Sequence, residues 1–341
     1  MNVLLSWHPT DDELARLRAS LPDGTEVLLP ERPEDSLSRF EVSADQLARH
    51  APAADIVIGW VLPDAALEAA TNLRLICWNH AGCDELDFDT LSRRGIQVTN
   101  AAGVNGPAVA EHALALMLGL AKKVVLKDRM VREGRAAFPF QADAFRAGML
   151  QRRTVGILGL GGIGSRVARL VSGFDMTVLG VRRNSDRPCP GVDRVCGMDR
   201  LHEVLRQSDF VVVCLPITPA TNRFFGREEL AAMKSTAFLI NVSRGNLLQE
   251  GPLHDALVSG GIAGFGSDVW FDYDHAFPAS YHFPVPSRTG LHRLENVLGS
   301  GDQGSNVDGM VEAYIDRAAA SATELIEGRA LTWAVDPEAG Y

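Results

Sequence analysis

Short apolar, β-branched runs alternate with amphipathic stretches from end to end of this 341-residue chain, and that alternation leaves few folds open. Val3–Leu5 precedes DDELARLRASL, whose Leu14, Leu17 and Leu21 recur at intervals of three and four. Glu26–Leu29 precedes SADQLARHA, and Asp55–Gly59 precedes PDAALEAA, with Pro63 suited to a first helical position. Leu73–Cys77 and Ile96–Thr99 close this series. Such β-α alternation predicts an open, doubly wound, mostly parallel sheet.

A second series follows. Pro107–Ala121 reads as a helix too rich in Ala and Leu all round for a surface position, so burial in a domain or subunit interface is expected. Thr154–Gly159, Gly162–Ser172, Met176–Val181, Leu201–Gln207, Phe210–Leu215, Glu228–Met233, Ala237–Asn241, Gly251–Ser259 and Gly264–Val269 then repeat βαβαβ at the spacing of a dinucleotide-binding domain. Irregular Gly- and Pro-rich sequence from Asp272 to Gly304 precedes a last helix, Val307–Glu327.

The second series opens on Thr154-Val-Gly-Ile-Leu-Gly159-Leu-Gly161-Gly-Ile-Gly164, a G-x-G-x-x-G directly between a strand and a helix. The first glycine permits the tight turn, the second lets backbone amides approach a pyrophosphate, and the third lets the helix lie close to the strand. NAD sites place an acid at the end of the following strand, to accept from the ribose 2′-hydroxyl. This chain has Leu179-Gly-Val-Arg182-Arg183-Asn184 instead. Guanidinium groups pair with a 2′-phosphate where a carboxylate would repel it. NADP(H) is therefore the expected cofactor, with NAD(H) as the alternative. The first series has Ser6-Trp-His-Pro-Thr after its opening strand and no glycine loop, which makes it the candidate substrate-binding half.

Composition narrows the class further. With 33 Lys and Arg against 43 Asp and Glu, the net charge is −10, and a nucleic-acid partner would call for a basic face. No run of eighteen apolar residues and no basic N-terminal region appear, so neither a membrane span nor a signal peptide is expected. Five cysteines without a C-x-x-C pair read as reduced thiols in the cytoplasm. The nine histidines show no metal-ligand spacing, so no metal site is expected, and His8 and His112 are read as packing or capping residues.

Several motifs in order resemble the D-isomer-specific 2-hydroxyacid dehydrogenases, which include glyoxylate/hydroxypyruvate reductases. They are Ala81-Gly-Cys-Asp-Glu-Leu-Asp, Val109-Ala-Glu-His-Ala-Leu-Ala-Leu, the glycine loop, Leu215-Pro-Ile-Thr-Pro-Ala-Thr, Ile240-Asn-Val-Ser-Arg-Gly and Gly266-Ser-Asp-Val. The resemblance implies a discontinuous, flavodoxin-like substrate domain (1–104 plus 303–341) around a Rossmann NAD(P)-binding domain (105–302), and a homodimer paired through the helix from Pro107. It implies that Arg244 grips the carboxylate and carbonyl of a small 2-oxo or 2-hydroxy acid, with Ala81, Gly82 and Asn105 as further substrate contacts. It also implies that Gly159, Leu160, Gly161, Gly162, Ile163, Gly164, Cys214, Leu215, Pro216, Thr221, Val242, Ser243 and Asp268 line the cofactor, beside Arg182 and Arg183.

The resemblance breaks at the proton donor. The family places a Pro-His pair soon after an Asn-Val, braced by a glutamate. Here Asn296-Val-Leu-Gly-Ser leads to Gly301-Asp302, and the glutamate position falls on Tyr273. A reductase must protonate a developing alkoxide, for which histidine is well matched. Asp302 is the expected substitute if its pKa is raised, with Asp272 or Asp274 as a possible neighbour, and His80 is a second candidate. Two other functions fit a missing acid/base pair: an NADP(H)-binding pseudoenzyme or sensor, and formate dehydrogenase-like hydride transfer that leaves no alkoxide. The aromatic residues Trp270, Phe271, Tyr273, Phe277, Tyr281 and Phe283 are expected to line a pocket or cover a dimer contact.

Overall fold

A computed structural model describes residues 1–32, 36, 38–135, 145–271 and 286–340. These form two compact units, one from 1–105 and 307–340, the other from 106–271 and 286–306.

The first unit holds strands β1 (Asn2–Leu5), β2 (Glu26–Leu28), β3 (Ile56–Gly59), β4 (Leu75–Trp78) and β5 (Gln97–Asn100), in the order β2-β1-β3-β4-β5. Every pairing is parallel, with Val3 opposite both Val27 and Ile56. This is the flavodoxin-like order. The strands read as unbroken apolar runs because both faces are covered. Val3, Leu5, Ile56, Ile58 and Leu75 point to one face, against Leu17 and against Ile315, Ala318 and Ala322 of the Met310–Ile326 helix. Leu4, Val57, Ile76 and Val98 point to the other, against Leu47, Ala66 and Leu91. The Asp11–Ser20 helix opens on a capping box of Thr10 and Glu13. Past the last helix, Ala334 pairs antiparallel with Thr99, and the Val335 amide donates to the Val98 carbonyl at 2.9 Å.

The second unit holds β6 (Thr154–Leu158), β7 (Thr177–Val181), β8 (Arg194–Cys196), β9 (Phe210–Val213), β10 (Phe238–Asn241), β11 (Gly264–Ser267) and β12 (Val297–Gly299). Their order is β12-β11-β10-β9-β6-β7-β8, again all parallel. The order reverses at β6, whose neighbours β7 and β9 are reached by crossovers in opposite directions, and such a reversal is where doubly wound sheets bind ligands. The apolar helix Gly106–Lys122 seats Val109, Ala113, Leu116 and Met117 in the core of its own unit, with Val155, Ile157, Val212 and Ile240. Helices Phe88–Arg93 and Val124–Arg132 and strands β8 and β12 were not read from the sequence. β12 lies within the stretch read as irregular. At three residues on a sheet edge it is too short to show periodicity.

Candidate active site

The glycine loop leaves the C-terminal end of β6. Gly159 has φ +98°, and a Cβ there would lie 2.6 Å from the Cys214 carbonyl oxygen. A Cβ on Gly164 would come within 1.9 Å of the Gly159 carbonyl oxygen, so the Gly164–Ser172 helix starts against the turn itself. A Cβ on Gly161 would meet nothing within 4 Å, and no side chain caps that helix. Open space over an uncapped helix N-terminus fits a dinucleotide pyrophosphate. Leu160 is buried, and Gly162 is exposed beside the half-buried Ile163. At the end of β7, Arg182 reaches the Arg187 carbonyl at 3.5 Å, and Arg183 is exposed.

On the other side of β6, β9 leads into Cys214-Leu215-Pro216. The Thr221 hydroxyl closes this turn by donating to the Pro216 carbonyl at 2.8 Å. Cys214 is only half-buried as a residue, but its thiol is enclosed, and burial pushes it up to about 12, so it is uncharged at neutral pH. β10 ends on Asn241, which is fully buried. Its Nδ2 donates to the Arg244 carbonyl at 2.9 Å, and its Oδ1 accepts from the Ser243 amide at 3.1 Å. The Ser243 hydroxyl donates to the Leu215 carbonyl, and Val242 is buried between these contacts. Asn241 thus folds the turn that presents Arg244.

Asp268 follows β11 and is 4% exposed. Its Oδ1 accepts from the Ser300 hydroxyl at 2.7 Å and the Gln303 amide at 2.9 Å, and its Oδ2 accepts from the Gly304 amide at 2.9 Å. The Asp302 amide donates to the Asp268 backbone carbonyl at 2.8 Å. His112 joins from the Gly106–Lys122 helix, its Nε2 2.7 Å from the Ser300 oxygen and 3.6 Å from Asp268. Trp270 Nε1 holds the Ser300 carbonyl at 2.6 Å. Asp302 stands at φ +56°, a left-handed conformation that glycine adopts more readily. Its residue surface is exposed, yet its carboxyl is held above the usual carboxylate range, by desolvation first and then by the Asp268 charge, against the pull of Arg244. Arg244, Asp268 and Asp302 therefore follow three neighbouring strands, β10, β11 and β12, at the same end of the sheet as the glycine loop.

Residues 114–301, more than half of the chain, match the family described as D-isomer specific 2-hydroxyacid dehydrogenase, NAD binding domain. The chain belongs to that family. Glyoxylate reductase of Korarchaeum cryptofilum is 38% identical over 234 residues, which is 68% of this chain and 66% of that one. Glyoxylate reductase of Pyrococcus furiosus is 38% identical over 208 residues, 60% of this chain and 61% of that one. The matched stretches thus span just under two thirds of these relatives' lengths. The crystal structure of an NADPH-dependent glyoxylate/hydroxypyruvate reductase from Sinorhizobium meliloti, with NADP and malonate, superposes with a TM-score of 0.76 at 25% identity, covering 99% of this chain and 97% of that one.

The remaining candidates of this dehydrogenase-family chain lie in its first unit. His80 follows β4, with Nε2 3.1 Å from the Trp60 carbonyl and its ring 5.2 Å from that of Trp78. Ala81 accepts from Asn100 Nδ2 at 3.0 Å, Gly82 is half-buried beside it, and Asn105 is half-buried at the end of the segment. Asp272, Tyr273, Asp274, Phe277, Tyr281 and Phe283 lie outside the described residues. His112 and Ser300 were missed as site residues. His112 falls three residues after Val109 and four before Leu116, on the buried stripe of its helix, which was the available signal. Among the described residues there is no group of three or more His, Cys, Asp or Glu that could hold a metal, and no helix long and apolar enough to cross a membrane.

Proposed function

We propose that this protein is an NADP(H)-preferring oxidoreductase acting between C2 of a small 2-oxo carboxylic acid and the matching 2-hydroxy acid, as a cytoplasmic homodimer. The observation that carries the proposal is the arrangement of Arg244, Asp268 and Asp302 on adjacent strand ends beside the glycine loop. A nicotinamide dinucleotide would supply hydride here. Gly159 to Gly164 would hold its pyrophosphate, Arg182 and Arg183 a 2′-phosphate, Cys214 to Pro216 with Thr221, Val242 and Ser243 its ribose side, and Asp268 its carboxamide.

Arg244 presents a planar fork of donors that binds a carboxylate and polarises the adjacent carbonyl. Asn241 fixes the backbone that carries it, and Arg244 Nη1 donates to the Ser243 carbonyl at 3.1 Å. Asp302, with its raised proton affinity, donates to the alkoxide oxygen in place of the family histidine. Such a contribution is worth about 10²–10⁴-fold. We assign substrate recognition to the first unit through Ala81, Gly82 and Asn105. The His80 ring nitrogen on the Trp60 carbonyl supports a positioned loop histidine more than a proton donor. All five cysteines are free, which accords with the cytoplasm.

The test is nicotinamide absorbance with NADPH and NADH against glyoxylate, hydroxypyruvate, pyruvate and phenylpyruvate. Oxidation of NADPH by one of them, faster than of NADH, is expected. Tight NADPH binding without turnover would overturn the reductase and leave a dinucleotide-binding protein.

A further inference from the structure

Asp268 and Asp302 are neighbours with opposite roles. Asp268 is buried, and both its oxygens are taken by Ser300, Gln303 and Gly304. Its charge is committed to building the turn. The Asp302 carboxyl, held on that turn by its own amide, accepts no hydrogen bond from any described residue. It persists at a left-handed position where glycine would be less strained. The opposite charge stands close by, on Arg244 at the end of β10. Arg244 after β10 and Asp302 after β12 thus flank Asp268 at one end of the sheet, near enough for the Arg244 charge to act on the Asp302 carboxyl.

A 2-oxo acid uses only half of that pair. Its carboxylate suits Arg244, but its carbonyl oxygen only accepts, and an ionised Asp302 repels it. A 2-imino acid, formed when ammonia condenses with a 2-oxo acid, uses both. Its carboxylate matches Arg244, and its C=NH₂⁺ carries two donors and a positive charge for Asp302.

We propose that the same site reduces 2-imino acids to 2-amino acids, with the Asp302 carboxylate holding the iminium nitrogen. This rests on the functional reading above, in which Arg244 grips the substrate carboxylate. The balance needs no enzymic acid. The iminium carbon accepts a hydride from the reduced nicotinamide dinucleotide, and the C=N π pair moves onto nitrogen, which keeps both its protons. The products are the oxidised dinucleotide and a neutral amine, which takes one proton from water and leaves as an ammonium. The exchange of Pro-His for Gly301-Asp302 then has a chemical reason, since a group that arrives protonated requires a counter-charge and not a donor.

The two substrates need Asp302 in opposite states. Oxo-acid reduction needs it protonated and falls as pH rises through its titration, whereas imine reduction needs it ionised and rises. The charged groups of this unit that face it are Asp268 after β11, Arg244 after β10, and His112 from the Gly106–Lys122 helix through Ser300 and Asp268.

The experiment uses the full-length protein with NADPH and either glyoxylate or pyruvate, with and without excess ammonium chloride. Free ammonia is held constant across pH, and products are separated by amino-acid chromatography. Glycine or alanine should form, with NADPH oxidation at least about tenfold faster than without ammonium, rising with pH. Equal rates and hydroxy acid alone would overturn the imine proposal and leave the reductase reading standing. No oxidation in either condition, with NADPH still bound, would overturn both.

A binding readout separates the role of Asp302 from turnover. In calorimetry with NADP⁺ present, Asp302→Asn should weaken alanine relative to lactate by about tenfold or more, the scale of one charge-assisted hydrogen bond. Asp302→Glu should restore part of the loss. An unchanged alanine-to-lactate ratio in Asp302→Asn, with NADPH fluorescence intact, would overturn the contact.

Discussion

At the residue scale, a few atoms decide whether this site forms. Gly164→Ala would put a methyl group 1.9 Å from the Gly159 carbonyl oxygen, and the obstacle is backbone. Overpacking of this kind costs about 1–3 kcal/mol, so NADPH affinity by fluorescence titration should fall about 10- to 100-fold while far-ultraviolet dichroism is kept. Arg182→Ala should lower the NADPH-to-NADH affinity ratio by about tenfold or more, from the loss of one charge-assisted pair. An unchanged ratio would overturn the proposed NADP(H) preference. On the role proposed for Asp302, ammonium-free oxo-acid reduction requires its proton. Because burial and Asp268 raise its pKa, kcat should hold at low pH and decline as pH climbs through the raised value, and Asp302→Asn should remove that limb. The glycine spacing and the arginines after β7 were legible because their chemistry is local in sequence. The setting of Asp302 was not, since Asp268 and Ser300 meet across strands that come together only in the sheet.

At the element scale, the Gly106–Lys122 helix links distant parts of the second unit. It carries His112 to Ser300, 188 positions away in sequence, so the helix, β11 and the turn after β12 share one hydrogen-bonded node. Removing a partner from a half-buried node costs about 1–3 kcal/mol. His112→Ala and Ser300→Ala should each lower the unfolding free energy of this unit by about that much, read as a lower urea midpoint at unchanged slope. The double variant should lose less than the sum, because both delete the same interaction. Strands buried on both faces announced themselves as continuous apolar runs, which is why β1, β3, β6, β9 and β10 were plain from sequence. β8 and β12 are three residues each on sheet edges, and the Phe88–Arg93 helix is less than two turns. Neither length supports a period. The apolar character of Gly106–Lys122 signals burial, and one stripe of the helix is buried on its own sheet, through Val109, Ala113, Leu116 and Met117.

At the scale of the whole molecule, the first unit is assembled from both ends of the chain. Ile315, Ala318, Ala319 and Ala322 complete the core begun by Val3, Leu5, Ile56 and Leu75. Arg16 and Asp316 pair across 300 residues, at 2.6 Å. Deleting residues 307–341 should therefore unfold the first unit while the second still binds dinucleotide, a split that limited proteolysis with and without NADPH would detect. Retained protection of residues 1–105 in the truncated chain would show that the last helix is dispensable.

That two-ended core also has a consequence during synthesis. The ribosome delivers residues 1–105 first, then about 200 residues of a different unit, and only then the helix that covers one face of the first sheet. At about 5–20 residues per second the wait is roughly 10–40 s, far longer than hydrophobic collapse takes. For that interval Val3, Leu5, Ile56, Ile58 and Leu75 have Leu17 but lack Ile315, Ala318 and Ala322, so the nascent chain offers a chaperone a half-covered, sticky sheet whose last helix has yet to be translated.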